Sequence, residues 1–266
     1  MEEFTRLVET VTAAGDMAAA RQQTVVRTFK PDGSVLTEPD LEADRMITKS
    51  IKSLFSDVNI ITEEYPSTFL PGKTWTFAVD PIDGSDSYSQ GMPGWCVAVG
   101  ILNEHLEPAG GIVYAPRWGS DRNRGILLTA LPGENVLING EPLEEPPAEK
   151  HRSQQLMISS KLHRKFDLSA YPGKVRSIGS TILHLVAPVI HPGVAGALLA
   201  PCFIWDMAAA HGIIARRGLS LAYLSGEEID YSVLVHRQKA RGHIAAGSAD
   251  TVAELRACFV ETSTID

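Results

Sequence analysis

Two carboxylates stand three residues apart in Asp80-Pro81-Ile82-Asp83-Gly84-Ser85. The apolar run Trp75–Val79 before them reads as a strand, so both acids fall at a strand end. Pro81 stiffens the turn there, and Gly84 lets the backbone come close to a ligand. Carboxylates converging at a strand end suit a hard cation such as Mg2+, which prefers oxygen ligands in octahedral geometry. Residues from Ser85 onward could open a helix whose free N–H groups face a phosphate. Taken alone, the same fragment also fits a plain surface turn.

Other candidates are scattered along the chain. Glu63-Glu64 follows the β-branched run Val58–Thr62, again at a strand end. Trp205-Asp206 is expected to open a helix running to about Arg217, where Asp206 could equally be an ordinary N-cap. Asp40 invites the same capping reading for a helix over 40–55. His211, on an Ala-rich helix, reads as a packed histidine more readily than as a ligand. Lys161, His163, Arg164 and Lys165 form a basic cluster, either a solvated loop or the receiver of a second phosphate. Cys96 and Cys202 sit in apolar runs and read as buried and inert, and Trp205 reads as a core anchor for Asp206.

The elements that must position these residues follow from periodicity. Residues 2–22 carry apolar residues at helical spacing, PDGS (31–34) is a turn, and Ile47, Ile51, Leu54 and Phe55 mark a second helical face. Strands are expected at Val97–Leu102 and Gly111–Tyr114 as a pair, at Gly125–Ala130 and Val136–Ile138, near Leu156–Ser159 and near Val175–Ile178. A helix should run from Ser180 to about Pro188, and a strand at Ile244–Ala246 and a helix at Thr251–Cys258 come last. The Pro- and Glu-rich stretch 141–150 is the one plausible linker, so two subdomains are expected, at about 1–145 and 151–266. Strands and helices mix without clean βαβ alternation, which favours antiparallel or mixed sheets layered with helices.

Composition narrows the class. The chain has 266 residues, 44% hydrophobic and 21% charged, an ordinary globular mixture. Its net charge of −8 argues against general nucleic-acid binding and, read naively, against any anionic substrate. Three cysteines are too few and too scattered for a disulfide framework or a zinc cluster, which fits a reducing cytoplasm. No secretory signal is visible. The stretch 177–205 lacks Lys, Arg, Asp and Glu, yet Pro188, Pro192 and Pro201 interrupt it; a buried helix and strand fit it better than a membrane span.

Taken together, Thr37-Glu38-Pro39-Asp40, Glu63-Glu64, the DPIDGS motif at 80–85 and the WDMAA motif at 205–209 resemble the inositol monophosphatase superfamily of lithium-sensitive, Mg2+-dependent phosphatases. The segments 107–116, Asn139-Gly140-Glu141-Pro142-Leu143 and Arg176-Ser177-Ile178-Gly179-Ser180 extend the resemblance over most of the chain. The resemblance implies an α+β fold, a layered α-β-α-β-α sandwich, and a homodimer by analogy. It implies hydrolysis of a small phosphate ester by an activated water with two or three Mg2+. Glu63, Asp80, the Ile82 carbonyl, Asp83 and Asp206 would hold the ions. Asp40, Ser85 and Glu63 would be catalytic, with Thr37 supporting Asp40 and Glu64 turned away. Gly84, Ser85, Asp206 and Arg176 would meet the substrate.

Departures from the family pattern bear on substrate. The inositol branch usually carries Thr where Ser85 stands, and an acidic residue seven positions before the WD aspartate, where this chain has Leu199. Ser159-Ser160-Lys161-Leu162-His163, His211 and Gly226–Tyr231 lean toward 3′(2′),5′-bisphosphate nucleotidases, which act on 3′-phosphoadenosine 5′-phosphate. Arg176–Ser180 and Gly91-Met92-Pro93 lean toward the inositol branch. A non-catalytic relative that binds metal or phosphate is the remaining class.

Overall fold

The computed structural model describes residues 1–119, 125–144 and 154–259. Its first helix, α1 (Glu2–Arg21), buries Phe4, Leu7, Val11, Ala14 and Ala18 along one stripe, as a 3.6-residue period demands. The PDGS turn closes a small hairpin of β1 (Thr28–Phe29) and β2 (Val35–Leu36), with Gly33 at φ 81°. α2 (Glu38–Leu54) starts before Asp40, because Thr37 is its N-cap and Pro39 sits in its first turn.

A seven-stranded sheet follows in chain order: β3 (Val58–Thr62), β4 (Trp75–Asp83), β5 (Cys96–Leu102), β6 (Pro108–Ala115), β7 (Ile126–Ala130), β8 (Leu137–Ile138) and β9 (Glu141–Pro142). The short helix α3 (Ser85–Ser89) separates β4 from β5. β3 and β4 are parallel, and β4 pairs antiparallel with β5. The pairing passes through Asp80↔Ala98, breaks, and resumes at Asp83↔Cys96. The acidic motif is therefore a bulged strand end rather than a free turn, and the bulge re-aims its side chains.

The second sheet is mixed and has five strands: β10 (Gln155–Ile158), β11 (Lys174–Arg176), β12 (Val194–Leu199), β13 (Ser220–Tyr223) and β14 (Ile244–Gly247), in the order β11-β10-β12-β14-β13. α4 (Thr181–Ile190) runs past Pro188, since a proline in the last turn removes a single backbone hydrogen bond. α5 (Ala208–Ala215) begins after Asp206, which lies in the turn leading into the helix rather than at its first residue. α6 (Tyr231–Leu234) and α7 (Ala249–Cys258) complete the fold. Residues 145–150 of the expected linker lie outside the described residues. No helix among the described residues is long and apolar enough to cross a membrane.

The layers stack as α1 and α2, the larger sheet, α4 and α5, the smaller sheet, and α7, which is the expected α-β-α-β-α sandwich. Alternation along β4 and β5 sorts the faces. Phe77, Val79, Val97, Val99 and Ile101 meet α1 and α2, whereas Ala78, Cys96 and Ala98 face the middle layer. The inward residues are small because α5 comes almost backbone to backbone with the sheet. A Cβ on Gly111 would lie 2.0 Å from Ala209 O, and one on Gly212 2.2 Å from Gly110 O. Gly111→Ala should therefore cost about 2–3 kcal/mol in urea denaturation, because both partners are main chain and cannot yield. Gly242→Ala, whose methyl meets only the Tyr223 ring at 3.7 Å, should stay within about 0.5 kcal/mol.

Candidate active site

The bulge at the end of β4, the loop after β3 and the turn before α5 converge on one cleft of about 1190 Å³. Asp80, Ile82, Asp83, Gly84, Ser85 and Glu63 line it from the first half of the chain, and Ser177, Gly179 and Asp206 from the second. One carboxylate oxygen from each of Asp80, Asp83 and Asp206 lies within 4.8 Å of the others. Asp83 is held by the start of α4: it accepts from the Ser180 hydroxyl and from the N–H groups of Ile182 at 2.6 Å and Thr181 at 3.3 Å. Ser180 caps the same helix through Leu183 N–H, so one hydroxyl serves both the helix and the acid. Asp206 accepts from Phe203 N–H at 2.6 Å. Both oxygens of Asp80 are buried without a hydrogen-bond partner among the described residues.

A second cluster adjoins the first. The Ser85 hydroxyl lies 2.8 Å from Asp40 Oδ1 and 2.9 Å from the Ile82 carbonyl. The other Asp40 oxygen accepts from the Thr37 N–H at 2.9 Å and from its hydroxyl, so Asp40 is the third residue of a capping box. Gly84 adopts φ 92°, and a Cβ there would meet Gly94 O at 2.8 Å, so this turn requires glycine.

Crowding governs the protonation of these groups. Burial first, then the charges of Glu63, Asp83 and Asp206, pushes Asp80 well above the ordinary carboxylate range. Burial and then Asp83 do the same to Asp206. Burial also raises Asp83, against its bonds to Ser180 and Ile182. Asp40 is raised by burial to about 6, and Glu64 by burial and Glu63 to about 7. An all-oxygen set with an orphaned buried carboxylate is a donor set that a hard cation can satisfy.

Lys30 and Arg237, which carry no motif, supply the opposing charge. Lys30, beside the hairpin turn, places Nζ 2.7 Å from Glu63 and 2.8 Å from Glu64. Burial works against its charge, but the two carboxylates outweigh it and hold its pKa above the usual lysine value. Glu64 turns into the protein, its side chain 2% exposed, while Glu63 faces the cleft at 22%. Arg237 donates to the carbonyls of Thr62, Glu63 and Tyr65.

Some expected groups lie elsewhere. Arg176 is exposed on the edge strand β11, bonded to Gln155 Oε1, and does not line the cleft. Leu199 is fully buried on β12. His211 pairs with the Tyr231 hydroxyl at 3.0 Å away from the acids, and burial lowers its pKa to about 4. Of the basic cluster, Lys161 lines the cleft; Arg164 and Lys165 are exposed outside it, and His163 Nδ1 meets Ser160 O.

Known proteins resemble this chain in sequence and in fold. The model of the inositol monophosphatase family matches residues 1–260. The 3′(2′),5′-bisphosphate nucleotidase CysQ of Escherichia coli K12 is 26% identical over 214 residues, covering 76% of this chain and 82% of that protein. Inositol monophosphatase 1 of Sus scrofa is 27% identical over 219 residues, covering 74% and 73%. Among solved structures, the suppressor protein suhB of Bartonella henselae superposes with a TM-score of 0.79 at 18% identity, covering 97% of this chain and 98% of that one. A Thermotoga maritima inositol monophosphatase superposes at 0.77 and 21% identity, with the same coverage.

The raised acids set a pH signature. Without metal, their protonated forms favour the fold fully below the ordinary values of 3.8 and 4.5, and that contribution is lost as pH rises through about 6 for Asp40 and about 7 for Glu64. A cation entering the cluster displaces protons from Asp83, itself raised to about 6, and from Asp80 and Asp206, raised well above the carboxylate range, so its stabilising effect grows as pH rises over the same window. The Tm difference between Mg2+ and EDTA buffers should be small near pH 5 and larger near pH 8. His184 and His211, lowered by burial to about 4, titrate alike in both buffers and cancel. A difference that shrinks with pH contradicts this assignment.

Proposed function

The chain belongs to the inositol monophosphatase family, a family of phosphoric monoester hydrolases, and from that premise we propose that the cleft hydrolyses a small inositol or sugar phosphate with Mg2+ held among Glu63, Asp80, Asp83, Asp206 and the Ile82 carbonyl. The observation that carries the reading is the group of three carboxylate oxygens within 4.8 Å, one of them from an Asp80 that has no hydrogen-bond partner among the described residues. When bound, two or three Mg2+ would neutralise the cluster, lower the pKa of water and screen the phosphate charge. By analogy with the family, the protein is a cytoplasmic homodimer, which sedimentation and fractionation would test.

The chain's own residues do the positioning. Ser85, bonded to Asp40, orients the attacking water, and the proton it loses passes to this hydroxyl–carboxylate pair. The raised pKa of Asp40 suits it to accept a proton near neutral pH. The N–H groups of Gly84 and Ser85 open α3 at the cleft and face the phosphate oxygens. Attack is in line: the water oxygen bonds phosphorus as the ester P–O bond breaks, the leaving alkoxide takes a proton from solvent water, and the proton held at Asp40 returns to solvent. The first half of the chain supplies the metal and phosphate side, and the second supplies the substrate side together with Asp206.

Phosphate release with Mg2+ against EDTA, across inositol 1-phosphate, sugar phosphates and 3′-phosphoadenosine 5′-phosphate, tests the reading. Rates near zero for all would favour a non-catalytic binder. Asp83→Asn and Asp206→Asn should each lower kcat by about 10²–10³-fold or more with circular dichroism unchanged. Ser85→Ala should cost about 10²-fold or more, and Ser85→Thr should retain activity, because the hydroxyl rather than the residue size is required.

A second reading, a bisphosphate nucleotidase, is favoured by Lys161 at the cleft wall and by the similarity to CysQ. Buried Leu199 offers no carboxylate to ring hydroxyls, which also leans this way. Lys161→Ala should then raise KM for 3′-phosphoadenosine 5′-phosphate about tenfold, the equivalent of about 1.4 kcal/mol, and leave KM for monophosphates unchanged. Equal effects on both substrates would remove this reading.

A further inference from the structure

Arg237 follows α6 in the second half of the chain, yet its side chain reaches the end of a strand in the first half. Nη1 donates to Tyr65 O at 2.9 Å and to Thr62 O, and Nη2 donates to Glu63 O at 3.0 Å. Its Cζ lies 4.7 Å from the centroid of the Trp205 ring, which stacks on Phe203 at 4.6 Å. The residue holds this pose with a left-handed backbone, φ 59°, uncommon for anything but glycine.

A planar cation with several fixed donors can take three carbonyls at once and still lie on an aromatic face. An ammonium can do neither as well, because its charge is a point and it has no flat face. The carbonyls belong to Thr62, Glu63 and Tyr65, so they bracket the Glu63-Glu64 pair. The ring belongs to the residue before Asp206. Glu63 and Asp206 come from opposite halves of the chain, and Arg237 touches the backbone of one and the immediate neighbour of the other.

We propose that Arg237 is a positioning residue that fixes the Glu63 segment and the Trp205–Asp206 turn relative to each other, so that the carboxylates of Glu63 and Asp206 flank Asp80 and Asp83 from opposite halves of the chain in one metal centre. This rests on the reading above that both residues hold Mg2+. Burial opposes the guanidinium charge, and Glu63, Glu64 and Asp44 counter that cost. Charge alone is not the role: the fork and the stack are what join the two segments.

Arg237→Met and Arg237→Lys test it, read by amide hydrogen exchange without metal, by Mg2+ titration calorimetry and by kcat and KM against Mg2+ concentration. Both variants should exchange faster at residues 62–65 and at 203–207 together. Both should bind Mg2+ about tenfold more weakly or worse, with kcat largely recovered at saturating Mg2+ and KM for the ester little changed. Full rescue by Arg237→Lys would reduce Arg237 to a counter-charge and overturn the proposal. Faster exchange at 62–65 alone, or unchanged Mg2+ affinity in a variant merely less stable, would also overturn it. Should Arg237→Met fail to fold, Arg237→Lys, which keeps the charge and a long stem, carries the test. Absence of Mg2+ binding by the wild-type chain would instead remove the metal reading, while the exchange pattern would still report whether the two segments are joined.

Discussion

Mutual repulsion among buried carboxylates is the constraint around which this molecule is arranged. Asp80, Asp83 and Asp206 meet at a distance where they cannot all ionise without help, and among the described residues Asp80 has no hydrogen bond to soften its burial. The fold answers in several ways. The first turn of α4 donates N–H groups to Asp83, the Lys30 ammonium rests on Glu63 and Glu64, and Arg237 lies against the Glu63 backbone. What these leave uncompensated is open to a cation. The acidity that argued against an anionic substrate is, at these positions, the means of attracting one once divalent charge is present.

The site's short-range parts were legible in the sequence. The DPIDGS fragment placed two acids and a hydroxyl within one strand end, while the role of the Ile82 carbonyl and the support of Asp40 by Thr37 came from the family resemblance. The long-range parts were not. Lys30 and Arg237 act across contacts between remote elements, and nothing in their neighbouring residues signals it; Ser180 ends the Arg176–Ser180 motif, yet its bond to Asp83 also joins remote elements. Arg176 is the opposite case: its motif carried an expectation, and β11 is an edge strand that leaves the side chain exposed, bonded to Gln155.

Periodicity located α1 and the strands β3 and β5 closely, because each buries a regular set of side chains. It missed β13 and α6, which have four residues each and are too short to show a period. It also set the start of the Ala-rich helix at Trp205-Asp206. The structure spends those residues on a turn, and the Asp206 carboxylate accepts the N–H of Phe203. The order of the layers came from the family resemblance rather than from pattern, since alternation shows which faces are buried but not what covers them.

The division of the acids between the two halves of the chain has a consequence for how the protein is made. Synthesis delivers Asp80 and Asp83 well before Asp206, and before Ser180 and the helix start that hold Asp83. Until the second half has docked, Asp83 lacks the Ser180 hydroxyl and the α4 N–H groups that hold it, and Lys30 is the balancing charge already in place on Glu63 and Glu64. The group of three converging carboxylates is therefore complete only after the second half of the chain has folded against the first.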